Sequence, residues 1–109
     1  MSAAAAALRR IRDRDAVELA LAVRCVNDLL NEDPSVTVTE VAQTLAASIE
    51  WPGAVQASGW WWRVDAGTKL QLRRLARRAL DQLTASGDLV RERGYGWQWV
   101  WRRARAVAV

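Results

Sequence analysis

The sequence predicts a mainly α-helical domain of the α+β class, in which a three-helix core is followed by one small C-terminal β-hairpin. Two segments before residue 48 and one after residue 67 carry apolar residues at helical spacing. Beyond them, residues 89–93 and 97–102 flank the turn Gly94-Tyr95-Gly96, a pattern typical of a hairpin. With 109 residues, the chain can form one hydrophobic core but not two independent ones.

The first helix is predicted over residues 15–30, with Asp15 as its N-cap and a stop at residues 31–34. Residues 1–14, an alanine run followed by arginines, are expected to form a flexible arm, because alanine offers no side chain that could anchor it. The helix carries apolar residues on two sides. One side is the stripe Leu19, Val23, Val26 and Leu30, and the other consists of Val17, Leu21 and Cys25. Since one packed interface uses a single stripe, the second side is expected to meet a partner chain.

A short β-branched strand, residues 36–38, is predicted before a second helix over residues 40–47. Thr37 and Glu40 have the spacing of a capping box. Thr39 is nevertheless the preferred N-cap, because Val38 would otherwise have to leave its strand-like setting. The helix is too short to be stable without packing on its neighbours, so it is expected to be a supporting element.

The third helix is expected to begin at an N-cap, either Asp65 or Thr68, and to end before Gly87. Its buried side is predicted to consist of Leu72, Leu75, Ala76, Ala79, Leu80 and Leu83. Between the second and third helices, residues 48–67 contain Pro52, Gly53 and four tryptophans, and they form an insertion without an assigned structure. The domain is therefore predicted over residues 15–103, with a tail at residues 104–109.

Positive charge is concentrated in the second half of the chain. Residues 1–62 contain 5 basic and 8 acidic side chains, whereas residues 63–109 contain 11 basic and 4 acidic ones. Four arginines lie opposite the apolar side of the third helix: Arg73, Arg74, Arg77 and Arg78. Guanidinium groups one helical turn apart can contact phosphates or guanine edges, although a charged face also serves solubility alone.

The run LARRALDQLTASGDLVRERG, residues 75–94, resembles the recognition helix and first wing strand of winged helix-turn-helix DNA-binding proteins. It looks most like the DNA-binding domain of GntR-type and related bacterial regulators. If the elements are matched in order, the resemblance covers residues 15–102. It implies that the third helix enters the major groove of double-stranded DNA and that the hairpin tip touches the backbone or the minor groove. The expected function is sequence-specific DNA binding by a bacterial or phage-type transcriptional regulator.

The candidate DNA-binding residues come from the third helix and the hairpin. Recognition helices commonly approach base edges through their N-terminal residues, which adds three side chains to the four arginines. The full set is Thr68, Lys69, Gln71, Arg73, Arg74, Arg77, Arg78, Arg91, Arg93 and Tyr95. Two other hypotheses stay open: a winged-helix protein-interaction module, and a binder of single-stranded nucleic acid.

The hairpin tryptophans are expected to contribute to the core. Strand alternation places Trp97, Trp99 and Trp101 on one face, and burial of large aromatic area is the commonest reason for such a row. The alternative is that the three indoles stack on unpaired bases. The consecutive Trp60, Trp61 and Trp62 cannot all point the same way, which favours self-association. We expect a homodimer with an interface formed by Val17, Leu21, Cys25, Trp60 and Trp61.

The sequence contains few of the side chains that catalysis usually requires. It has no histidine and no phosphate-cradling glycine loop, and its one cysteine, Cys25, lies in an apolar helical pattern without an adjacent base. Enzymatic activity, a metal, a cofactor and a small-molecule ligand are therefore not expected. No apolar run approaches the roughly 20 residues of a membrane span, and the alanine run lacks the features of a secretory signal. A cytoplasmic, nucleoid-associated protein is expected.

Overall fold

The computed structural model describes residues 2–48 and 61–104. In this part of the chain, three α-helices precede one antiparallel hairpin, as the sequence predicts. The elements are α1 (Ala3–Glu32), α2 (Val38–Ala47), α3 (Ala66–Ala85), β1 (Leu89–Arg93) and β2 (Trp99–Arg103). Short 3-10 turns occupy Trp61–Arg63 and Tyr95–Trp97. Residues 49–60, most of the predicted insertion, lie outside the described residues.

The core lies where α3 packs against both α1 and α2. All six residues predicted for the buried side of α3 are buried, because their spacing places them on one side of a regular helix. Val41 and Leu45 of α2 and Val26 of α1 are completely buried against them. The short α2 is thus packed against its neighbours, as a helix of its length requires.

The hairpin is attached to the helical core through Trp101. In the register of the two strands, Leu89 pairs with Arg103 and Arg93 with Trp99. Val36, between α1 and α2, forms an isolated antiparallel bridge to Trp101, with both backbone N–H···O distances at 2.9 Å. The Trp101 side chain has no exposed surface. The bridge and the buried ring together hold the hairpin against the segment that leads into α2.

The first helix is longer than predicted. It begins at Ala3, and the Ser2 hydroxyl caps it by accepting a hydrogen bond from the Ala5 N–H at 3.2 Å. Asp15 therefore lies inside the helix, and the prediction that it is the N-cap is wrong. Alanine has the highest helix propensity of all residues, and no glycine or proline interrupts the chain between Ala3 and Glu32. The alanine run accordingly continues the helix.

The two apolar sides assigned to α1 are also partitioned differently in the structure. Leu21 and Cys25, which were expected to face a partner chain, are buried in the core of their own chain. They form one stripe with Ala22, Val26 and Leu30, because the buried face of α1 is centred between the two stripes read from the sequence. Val17 remains exposed at 56%.

The predicted N-cap of α2 is wrong, and the structure selects one of the two N-caps predicted for α3. Thr37, not Thr39, caps α2: the Glu40 N–H donates to Thr37 Oγ1 at 3.2 Å, and the Thr37 N–H donates to Glu40 Oε1 at 3.0 Å. Val38 can enter the helix because pairing with Trp101 requires only Val36. Asp65 caps α3 by accepting from the Thr68 N–H at 2.9 Å.

Candidate nucleic-acid interface

The solvent-facing side of α3 carries two rows of arginines that differ in their surroundings. Arg74 and Arg78 are exposed, one helical turn apart, and make no hydrogen bond, ion pair or ring contact with another described residue. Gln71 is exposed near them. This row therefore keeps its donors available for an external acceptor.

The second row, Lys69, Arg73 and Arg77, lies against aromatic rings. The Lys69 ammonium lies 5.4 Å and the Arg73 guanidinium 5.9 Å from the centre of the Trp61 ring. Arg77 lies 5.3 Å from the centre of the Trp101 ring. Contacts of this kind are worth about 0.5–1 kcal/mol at exposed sites. They orient the cations of this row without neutralising them.

Arg77 has a partner that sequence reasoning missed. Its Nε donates to both carboxylate oxygens of Asp81, at 3.0 and 3.1 Å, one turn further along α3. Arg77 is thus engaged within its own chain, unlike Arg74 and Arg78, and it is half-buried beside Trp101. The i, i+4 spacing of the two residues is the signal that could have revealed this pair.

The hairpin arginines gather around Trp99. The guanidinium carbons of Arg91 and Arg93 lie 4.1 and 3.9 Å from the centre of its ring. Both side chains lie on the hairpin face that also carries Trp99 and Trp101, because the register pairs Arg93 with Trp99 and Arg91 with Trp101. Since Arg77 contacts Trp101, the two neighbouring indoles connect the arginines of the hairpin to α3.

The three hairpin tryptophans differ in burial, which corrects the prediction of one common core face. Trp101 is fully buried and Trp99 is half-buried, whereas Trp97 is 81% exposed. Trp97 belongs to the turn, since β2 begins at Trp99. Tyr95 is 99% exposed at the same tip, where the sequence predicted it.

Acidic side chains do little to cancel the charge of this surface. Residues 66–103 contain nine basic and three acidic side chains. Asp81 is paired with Arg77, Glu92 accepts from Arg102 Nε at 3.0 Å, and Asp88 accepts from the Ser86 hydroxyl at 2.6 Å. Arg102 and Glu92 lie on the hairpin face opposite Trp99. Seven cations without an ionic partner in the described chain remain: Lys69, Arg73, Arg74, Arg78, Arg91, Arg93 and Arg103.

One predicted site residue, Thr68, has a structural role at the start of α3. The Thr68 hydroxyl donates to Asp65 Oδ2 at 2.7 Å. The hydrogen bonds from Thr68 lower the pKa of the Asp65 carboxyl, so the cap carries its negative charge at the positive end of the helix. Thr68 is therefore held by the cap.

The predicted dimer residues are scattered. Trp61 is half-buried against the core beneath Lys69 and Arg73, Val17 is exposed, and Trp60 lies outside the described residues. Burial raises the pKa of the Cys25 thiol, which keeps it protonated and inert. The larger exposed apolar residues of α1 are Leu8, Ile11 and Val17.

Within residues 2–48 and 61–104, no helix is long and apolar enough to cross a membrane, and no three metal-ligating side chains form a group that could hold an ion. Compared with known proteins, the chain matches no protein-family model, no curated protein and no solved structure.

Proposed function

We propose that this chain is a winged-helix protein that binds double-stranded DNA and regulates transcription. The single observation that carries the proposal is the connection of Arg77, on the arginine-bearing side of α3, to the arginines of the hairpin through Trp101 and Trp99. The chain order of helix, bridging residue Val36, two helices and hairpin matches the order of elements in winged-helix domains. In this proposal α3 is the recognition helix and the hairpin is the wing.

The row of α3 that contains Gln71, Arg74 and Arg78 suits the major groove, because that groove admits an α-helix. Arginine pairs with guanine O6 and N7 or with phosphates, and glutamine pairs with adenine N6 and N7. Arg74 and Arg78 would therefore supply base or phosphate contacts, and Gln71 an additional base contact. Arg91 and Arg93 would contact the backbone from the hairpin.

The salt dependence of DNA binding tests this assignment. Neutralisation of about five phosphates predicts that the logarithm of the binding constant falls with the logarithm of salt at a slope of about −4 to −5. The double variant Arg74→Ala, Arg78→Ala should reduce the steepness of that slope by about 1.8. Fluorescence anisotropy with a labelled duplex measures both quantities. The variant should keep its fold, because both side chains are exposed and neither makes a hydrogen bond, ion pair or ring contact with another described residue.

A matched control removes the same charge elsewhere. Arg9 and Arg12 are exposed on the N-terminal half of α1. The double variant Arg9→Ala, Arg12→Ala should leave the slope unchanged. Equal weakening by both double variants would show that net charge alone attracts DNA, and salt-insensitive binding of the unaltered protein would contradict the proposal.

A protein-interaction module is the second candidate function. The exposed apolar residues of α1, Leu8, Ile11 and Val17, favour it. Charge reversal by Arg74→Glu and Arg78→Glu separates the two, since it should abolish DNA binding and leave the binding of a protein partner unaffected. Reversal of Arg77 is less informative because it would also break the pair with Asp81.

A homodimer remains part of the proposal, since a two-fold protein matches a two-fold operator. Leu21 and Cys25 cannot form its interface while they are buried in the core. The exposed residues Leu8 and Ile11, one helical turn apart on α1, replace them as the proposed contact.

A further inference from the structure

The tip of the hairpin is a compact, internally bonded turn. The Gly94 N–H donates to the Gln98 carbonyl at 2.8 Å, and Arg93 Nη1 donates to the Trp97 carbonyl at 2.6 Å. A Cβ atom at Gly94 would lie 2.6 Å from Val100 Cγ1, so a larger residue there would require Val100 to shift. The backbone at the tip is therefore held by contacts on both sides.

Trp97 adopts an unusual backbone conformation in this turn. Its φ is +66°, directly after Gly96 at +73°. A bulky residue in the left-handed region is uncommon and strained, by about 1–3 kcal/mol in general, and such strain concentrates at functional sites. Burial within the chain does not compensate for it, because the ring is 81% exposed.

The result is a pair of exposed aromatic rings at the end of a cationic hairpin. Tyr95 is 99% exposed, two residues before Trp97. Arg93, which holds the Trp97 carbonyl, also lies over Trp99 together with Arg91. Aromatic faces beside arginines are the groups on which proteins stack nucleobases.

We propose that Tyr95 and Trp97 form a stacking site for a nucleobase that is unpaired or opened at a distorted step of a duplex. This inference rests on the proposed DNA-binding function and extends it to the wing tip. Apolar and aromatic side chains at such positions insert between base steps and favour DNA that is already unstacked. Of the aromatic rings of the hairpin, only those at the tip are open to a base, because Trp101 is buried and Trp99 is covered by two guanidinium groups.

Substitution of Trp97 by glycine gives a clean test. Glycine adopts a positive φ without strain, and the exposed indole leaves no cavity, so the melting temperature should not fall by more than about 4 °C relative to the unaltered protein. Three labelled probes are compared by anisotropy: a short duplex, the same duplex with one bulged nucleotide, and the single strand. The unaltered protein should bind the bulged duplex more tightly than the plain duplex. In Trp97→Gly, the ratio of the two binding constants should fall by roughly 5- to 150-fold.

Trp97→Phe is the matched control, because it keeps an aromatic face and the same backbone demand, and it should retain the preference. If the unaltered protein prefers the single strand to the bulged duplex and Trp97→Gly loses that preference, unpaired strands are the source of the base. Unchanged binding of all three probes by Trp97→Gly overturns the stacking site but leaves the proposed function intact. Absence of binding to any probe by the unaltered protein overturns both. Weaker binding of Trp97→Gly to anionic phosphatidylglycerol vesicles, with unchanged DNA preference, assigns the tip to a lipid surface instead.

Discussion

Replacement of Trp101 by alanine should remove the main attachment of the hairpin to the helices. The side chain is completely buried, its backbone pairs with Val36, and its ring lies beneath Arg77 of α3. Substitution of a buried tryptophan by alanine generally costs about 3–5 kcal/mol of unfolding free energy. For a domain whose total stability is expected to be about 5–15 kcal/mol, this is a large fraction.

A phenylalanine variant at the same position separates the contribution of the buried ring from that of its N–H group. Trp101 Nε1 is buried and meets no acceptor within the described residues. An unsatisfied buried donor costs about 1–3 kcal/mol, and Trp101→Phe removes it while keeping most of the apolar ring. Removal of the unsatisfied donor should offset the loss of buried apolar area that the smaller ring causes. The unfolding free energy of this variant should therefore stay within about 1 kcal/mol of that of the unaltered protein.

Urea unfolding followed by far-UV circular dichroism measures both differences. With a denaturant slope of about 2 kcal/mol/M, the alanine variant should unfold at a urea concentration lower by about 2 M. An alanine variant that loses less than about 1 kcal/mol would show that the ring is not part of the core. A phenylalanine variant as unstable as the alanine variant would show that the indole N–H has a hydrogen-bond partner.

Two further predictions concern α2 and self-association. Thr37→Ala should lower the unfolding free energy by about 1 kcal/mol in the same urea assay, whereas Thr39→Ala should have a smaller effect, because Thr37 is the residue that caps α2. The double variant Leu8→Glu, Ile11→Glu should convert the proposed dimer to a monomer in analytical ultracentrifugation, since it places charges at the proposed contact. A monomeric unaltered protein at micromolar concentration would remove the dimer from the proposal.

The amphipathic pattern of α3 was the most reliable guide to the fold. Its six apolar residues read as one side of a helix, and all six are buried. Gly87 has a φ of +87°, which suits the chain reversal between α3 and β1 that the sequence indicated. These features depend on residues close together in the chain, which is why the sequence alone could predict them.

The errors in α1 and in the hairpin have a different origin. Residues 15–30 present apolar groups over more than half of the helix, and only the positions of α2 and α3 decide that Leu21 and Cys25 face inward. Similarly, strand alternation assigned Trp97 to the face of Trp101, but the two left-handed residues at the tip turn the chain before β2 begins. Neither outcome is encoded in local spacing.

The sequence by itself determined that the chain has three helices and a hairpin in the described part, and that its positive charge belongs to the second half. Periodicity and composition are local properties, so they require no knowledge of what packs where. Tertiary structure decided which arginines are engaged: Asp81 and Trp101 contact Arg77, while Arg74 and Arg78 make no hydrogen bond, ion pair or ring contact with a described residue. It also decided that Trp101 is core and Trp97 is surface, because burial depends on elements brought together from distant parts of the chain.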